Sequence, residues 1–126
     1  MNGNRTRMNK PTRTYDLYEV VRVPFPFTDT KAVKIRPALI LSSAKHFNAK
    51  VGLSVMAMIT SVKAGQSVWP ADIVIENLHL TGLPVPSIIR FKLFTLDHRL
   101  ILGRLGNLSE IDCRNVQKKL REILVL

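Results

Sequence analysis

The side chains of this sequence best placed to do chemistry stand at the ends of apolar segments. Thr28 and Asp29 close the segment PFPFTD, and Lys31 and Lys34 lie in the polar stretch TKAVKI that follows. Arg36 immediately precedes the apolar run PALILSS, Thr60 and Ser61 immediately follow VGLSVMAMI, and Arg90 and Lys92 interrupt SIIRFKLF. Loops and element ends on a rigid sheet are where sites are built. Taken singly, each residue has an ordinary alternative. Arg36 reads equally as a solvated loop cation, Thr60 as the end of a strand, Asp29 as a turn stabiliser bonded to its own backbone, and Arg90 and Lys92 as alternate positions of one strand facing water. Other chemistries find less support. His46, His79, His98, Cys113 and the carboxylates show no metal-ligand spacing. The histidines stand far apart in sequence, and an isolated histidine is usually a surface or capping residue. No GxGxxG, P-loop, GxSxG or HExxH pattern is present.

The charge balance narrows the partner. The chain has 126 residues, with 19 Lys and Arg against nine Asp and Glu, a formal net charge of +10. Four of the cations (Arg5, Arg7, Lys10 and Arg13) precede the first acid, and the rest of the chain is still basic without them. Such a balance favours polyanions through phosphate contacts and counterion release. By itself it does not separate RNA, DNA, an anionic membrane and an acidic protein. The single cysteine, Cys113, rules out an intramolecular disulfide and suits a reducing cytoplasm. No stretch approaches the roughly 20 apolar residues of a membrane span, and the N-terminus lacks the apolar run of a secretory signal.

The elements that must position these residues are short. Residues 1–14 are polar and basic and read as a flexible tail, leaving one domain over 15–126. Apolar runs at 17–23, 37–43, 51–59, 71–76, 86–95 and 99–105 are separated by Pro, Gly, Asn and Asp, a pattern of strands in a small barrel or coiled sheet. Alternating strand–helix units are not evident. The C-terminal segment changes period. Ser109 stands three residues before Asp112 as a capping box, and Cys113, Val116, Leu120 and Ile123/Leu124 recur at helical spacing. The spacing predicts one amphipathic helix over about 109–124, with Arg114, Lys118, Lys119 and Arg121 on its outer face and Cys113 as a small apolar filler.

In combination, the segments VVRVPFPFTD (20–29), IRPALILS (35–42), AMITS (57–61), GLPVPSIIR (82–90), FTLDHRLILGRLGNLS (94–109) and the final helix resemble the MazF/PemK family of toxins, in its PFPFTD-type branch. They run in the family's order over about residues 17–124. The resemblance implies a mainly β, SH3-like barrel of coiled antiparallel strands with a C-terminal helix. It also implies a homodimer, and cleavage of single-stranded RNA across the dimer groove without a metal or other cofactor. In the family's reaction the 2′-hydroxyl attacks the adjacent phosphorus, leaving a 2′,3′-cyclic phosphate and a 5′-hydroxyl. By that likeness Arg36 and Thr60 are the catalytic pair. Thr28, Lys34, Ser61, Arg90 and Lys92 border the substrate, and the partner is an acidic MazE/PemI-like antitoxin whose extended tail lies along the groove.

These residue types suit the implied reaction. In-line attack builds negative charge on the phosphoryl oxygens, which a fixed guanidinium meets with a two-pronged fork. A hydroxyl from Thr60 would hold the same phosphate in line. A general base is not identified, and an arginine is a poor one. Three departures stand out: Tyr18-Glu19 where many relatives carry Gly-Asp, a short loop between the first two strands without the acidic and histidine residues that some relatives place near the scissile phosphate, and Phe91-Lys92 after Arg90 where some carry an aspartate. The competing expectation is the same barrel binding a protein or nucleic acid without cutting it, as gyrase-poison toxins do, since fold alone does not decide function. Arg36 and Thr60 together favour the nuclease. Membrane-surface binding through the basic helix has little support, because its apolar stripe is used to close the barrel.

Overall fold

The computed structural model describes residues 13–25 and 33–126. The expected basic tail, apart from residues 13 and 14, and the positions Thr28, Asp29 and Lys31 lie outside the described residues.

Six strands form one antiparallel sheet: β1 (Glu19–Phe25), β2 (Lys34–Ile40), β3 (Leu53–Ser61), β4 (Ile73–Val74), β5 (Ser87–Asp97) and β6 (Gly103–Asn107), in the order β4-β5-β3-β2-β1-β6. A helix, here α2 (Glu110–Leu124), follows β6. The expected mainly β fold with a terminal helix is therefore the observed one, as a half-barrel. The three middle strands are apolar on both sides, and two cores follow from the pleat. Val21, Val23, Phe25, Ala38, Ile40 and Met56 face one core, where Phe25 and Phe94 meet edge to face at 5.2 Å. Val20, Leu39, Ala57, Ile59 and Ile89 face the other, closed by Val116 of α2. Thus α2 covers one face of the sheet and leaves the other to curl on itself.

The start of α2 is fixed from two directions. Ser109 Oγ accepts from the Asp112 backbone N–H and donates to the Asp112 carboxylate at 2.8 Å. The fully buried Asp112 also accepts from the backbone N–H groups of Glu76 and Asn77, at 2.9 and 3.0 Å. The capping box thus doubles as a tie to the segment after β4. That tie explains a departure from expectation: the apolar run 71–76 is a strand only at Ile73–Val74, because the backbone beyond it turns toward Asp112. A second departure is a π turn (Ala44–Asn48) running into the single helical turn α1 (Ala49–Val51), which takes up the expected connection and Val51, the expected first residue of the third strand. Ser43 caps it, and buried Asn48 donates to the carbonyls of Tyr15 and Ser42, at 2.8 and 2.7 Å.

Candidate active site

The β1–β2 ladder pairs Val23 with Arg36 and Phe25 with Lys34. The β2–β3 ladder pairs Ala38 with Met58, Leu39 with Ala57 and Ile40 with Met56, and its pairs end there. Beyond that point β2 stays with β1 and β3 stays with β5, so the sheet divides at this end. The break coincides with Pro37, which has no N–H to give a ladder bond. Arg36 and Thr60 each lie two residues beyond the last pair, Ala38–Met58, one on each strand of the division. The pleat therefore turns both toward the face that α2 does not cover.

The two residues share a further property. Among the described residues the Arg36 guanidinium has no carboxylate partner, and the Thr60 hydroxyl has no hydrogen-bond partner although the residue is only 8% exposed. A buried polar group without a partner is rare, and it marks a place where water or a ligand completes the bonding. A guanidinium and a hydroxyl that can donate, both without a partner among the described residues, offer donors to an anion. Lys34 is exposed two residues before Arg36 on β2, and Ser61 is half-buried beside Thr60, paired across to Ser87.

Arg90 comes to the same face but is engaged. It pairs with Met58 across the β3–β5 ladder. Its Nε and Nη2 donate to the two oxygens of Asp72 at 3.2 and 2.9 Å, and Nη2 also donates to the Ser67 carbonyl at 2.8 Å. Both side chains of the pair are largely buried, at 10% and 7% exposure. The expectation of Arg90 as a free phosphate contact therefore meets a guanidinium already committed to a carboxylate. Lys92 falls, with Phe91, in a bulge of β5 between the pairs Met58–Arg90 and Ala57–Leu93. The bulge breaks the simple alternation expected of Arg90 and Lys92. The sequence reading missed Asp72 and Trp69: the first is 18 residues from Arg90, and no local pattern announces a pair at that separation.

The histidines lie on different elements: His46 in the π turn, His79 in the turn before β5, and His98 after β5. His98 is buried against Ser54 Oγ (2.6 Å) and the edge of the Tyr15 ring, at the end of β3 remote from Thr60. Among the described residues no three of His, Cys, Asp or Glu gather closely enough to hold a metal. Cys113 is half-buried on the core side of α2, where burial, with Asp112 and Glu110 nearby, pushes its thiol up from the ordinary value. That is the environment of a filler rather than of a nucleophile.

Residues 17–124 match the family described as PemK-like, MazF-like toxin of type II toxin-antitoxin system. The chain belongs to this toxin family. The match takes in every strand and α2, so the Arg36–Thr60 face is part of the MazF/PemK-type domain rather than an addition to it. Solved relatives share the fold. A MazE–MazF crystal structure from Deinococcus radiodurans superposes with a TM-score of 0.71 at 25% identity, covering 90% of this chain and 98% of that one. An endoribonuclease in complex with its cognate antitoxin, from a mycobacterial species, gives 0.69 at 16% identity over 89% and 96%. The Mycobacterium tuberculosis toxin MazF-mt6 gives 0.65 at 16% over 86% and 97%. No curated protein matches this MazF/PemK-family chain.

Proposed function

We propose that this toxin-family chain is a metal-independent endoribonuclease that cuts single-stranded RNA, with Arg36 and Thr60 as its catalytic residues. The reading is supported by the Arg36 guanidinium and the buried Thr60 hydroxyl, each without a side-chain partner among the described residues, on the two strands that part beyond the Ala38–Met58 pair. In the reaction the 2′-oxygen forms a bond to phosphorus as the bond to the 5′-oxygen breaks. The 2′-hydroxyl loses its proton, the 5′-oxygen gains one, and the products are a 2′,3′-cyclic phosphate and a 5′-hydroxyl. Arg36 would take up the charge building on the non-bridging oxygens, and Thr60 would donate to the same phosphate and hold it in line. Asp72 bears on this face but is neutralised by Arg90, which spares the substrate its repulsion. Thr28, Lys34 and Ser61 would border the strand, with Arg90 and Lys92 beside it. Two copies would form the working enzyme, with RNA in the groove between them. The solved Deinococcus complex contains a MazE with its MazF. The corresponding partner here would be an acidic antitoxin laid over the basic groove.

The test is incubation of the purified protein with a long single-stranded RNA in EDTA. Discrete fragments with 5′-hydroxyl ends are expected. Arg36→Ala should lose about 10²-fold or more in kcat, as removal of one donor from an oxyanion site does. Thr60→Ala should lose less, with both variants folded by circular dichroism. Intact RNA retained tightly by the protein would instead establish a binding module.

A further inference from the structure

The segment between β3 and β4 carries Trp69, the chain's one tryptophan, and that ring is held on purpose-built supports. The Arg90 guanidinium lies over the ring, 5.3 Å from its centroid. Asp72 holds this guanidinium through two bonds and, with the same Oδ2, accepts the Trp69 backbone N–H at 2.9 Å. The Asp72 N–H returns a bond to the Trp69 carbonyl at 3.2 Å. One buried carboxylate thus fixes both the backbone of Trp69 and the cation against its ring. Yet Trp69 remains 39% exposed, beside an exposed Val68. A buried ion pair adds little net stability over apolar packing, so loop anchoring alone is a weak reason for it, while alignment of an exposed ring is a sufficient one. The location matters too. Arg90 is one ladder step from Met58, and Met58 is two residues from Thr60 on the same face, so strand spacings put the Arg90 and Thr60 backbones ~8 Å apart.

We propose that Trp69 is a base-stacking platform, on which a nucleobase next to the scissile phosphate lies against the indole face that Arg90 does not cover. The ligand class is an unpaired nucleobase of a single-stranded chain. Such stacking tolerates sequence but orders the strand, because every base has a π face. The proposal rests on the ribonuclease reading for the identity of the neighbouring phosphate, and it deepens that reading by naming what holds the base. Asp72 and Arg90 are then positioning residues, acting through the ring.

Because the protein has a single indole, emission excited to the red of tyrosine absorption reports Trp69 alone. The experiment titrates the whole protein with a fully 2′-O-methylated single-stranded RNA of mixed sequence, which lacks the attacking hydroxyl, and follows binding by anisotropy of an end label. Cleavage of unmodified long RNA is measured in parallel. The proposal expects quenched emission at saturation. It also expects a KM about tenfold higher for Trp69→Ala with kcat little changed, and recovery of most of that loss in Trp69→Phe. Unchanged emission while anisotropy shows saturation overturns it, as does a Trp69→Ala variant with the wild-type KM. Cleaved RNA with unchanged emission sinks the stacking platform and leaves the nuclease standing. Quenched emission with intact RNA upholds the platform and sinks the nuclease.

Discussion

His98 shows how a single side chain of this fold can be judged by its surroundings. The residue is 3% exposed, bonded to Ser54 Oγ and edge-on to Tyr15. Burial holds its imidazole below the ordinary value of 6.5, and the neighbouring Asp97 pulls only partly back. Asp97 itself is held at about 2 by its bonds from Arg99. In the unfolded chain His98 would take up a proton near pH 6.5, and in the folded chain only at lower pH. Between those values the unfolded state binds more protons, so stability rises with pH across this window and is flat above it. The urea midpoint of the wild-type protein is expected to fall as pH drops below about 6.5, and this part of the fall should disappear in His98→Gln. An equal fall in both proteins would contradict the assignment. None of this was readable from the sequence, where His98 is one of three scattered histidines. The same holds for Arg90, whose partner comes from another element. Arg36 and Thr60 were legible as candidates from their strand-end positions and from the family likeness. Their place on the two strands that part beyond Ala38–Met58 depends on a register that only the folded sheet supplies.

At the scale of elements, the strands were read from apolar runs and the helix from its period, and the errors have local causes. The first strand runs on to Phe25, past the expected stop at Pro24. The β1–β6 pairs end at Arg22–Gly103, so a proline two residues later costs that ladder nothing. The π turn at Ala44–Asn48 has no apolar stripe, and its support comes from Asn48 bonding to distant carbonyls. Tyr18 stands where many relatives carry glycine, and the reason for glycine is visible: its φ is +68°, a conformation that costs an L side chain roughly 1–2 kcal/mol. The Tyr18 ring packs into the core beneath α2 beside Leu120, contacts a glycine would lack. The α2 start allows a direct comparison. Ser109→Ala removes one cap and should cost about 1 kcal/mol. Asp112→Ala should cost clearly more, since it takes the acceptor from the buried Ser109 hydroxyl and from the part-buried N–H groups of Glu76 and Asn77. Chemical denaturation of the two variants decides it, and equal losses would mean that the tie to the 76–77 backbone carries no weight.

Across the whole molecule, the distribution of charge matters more than its sum. Every carboxylate among the described residues is engaged by a cation, a backbone N–H or an amide: Asp16 by backbone, Glu19 by Arg104, Asp72 by Arg90, Glu76 by Asn115, Asp97 by Arg99, Glu110 by Arg114, Asp112 by backbone and Glu122 by Lys119. The exposed pairs add little to stability. Their effect is to leave the excess of cations, Arg36 among them, to set the field around a chain of net charge +10. The half-barrel covers one face of the sheet with α2, and β2 and β3 part beyond Ala38–Met58. The proposed reaction requires Arg36 and Thr60 to act on a single phosphate. A double-mutant cycle on single-turnover RNA cleavage, with Arg36→Ala, Thr60→Val and the pair combined, measures this directly. Groups that grip one phosphate should be strongly non-additive, the double variant being about as slow as the slower single. Losses that multiply, or either single variant cutting at the wild-type rate, would contradict it.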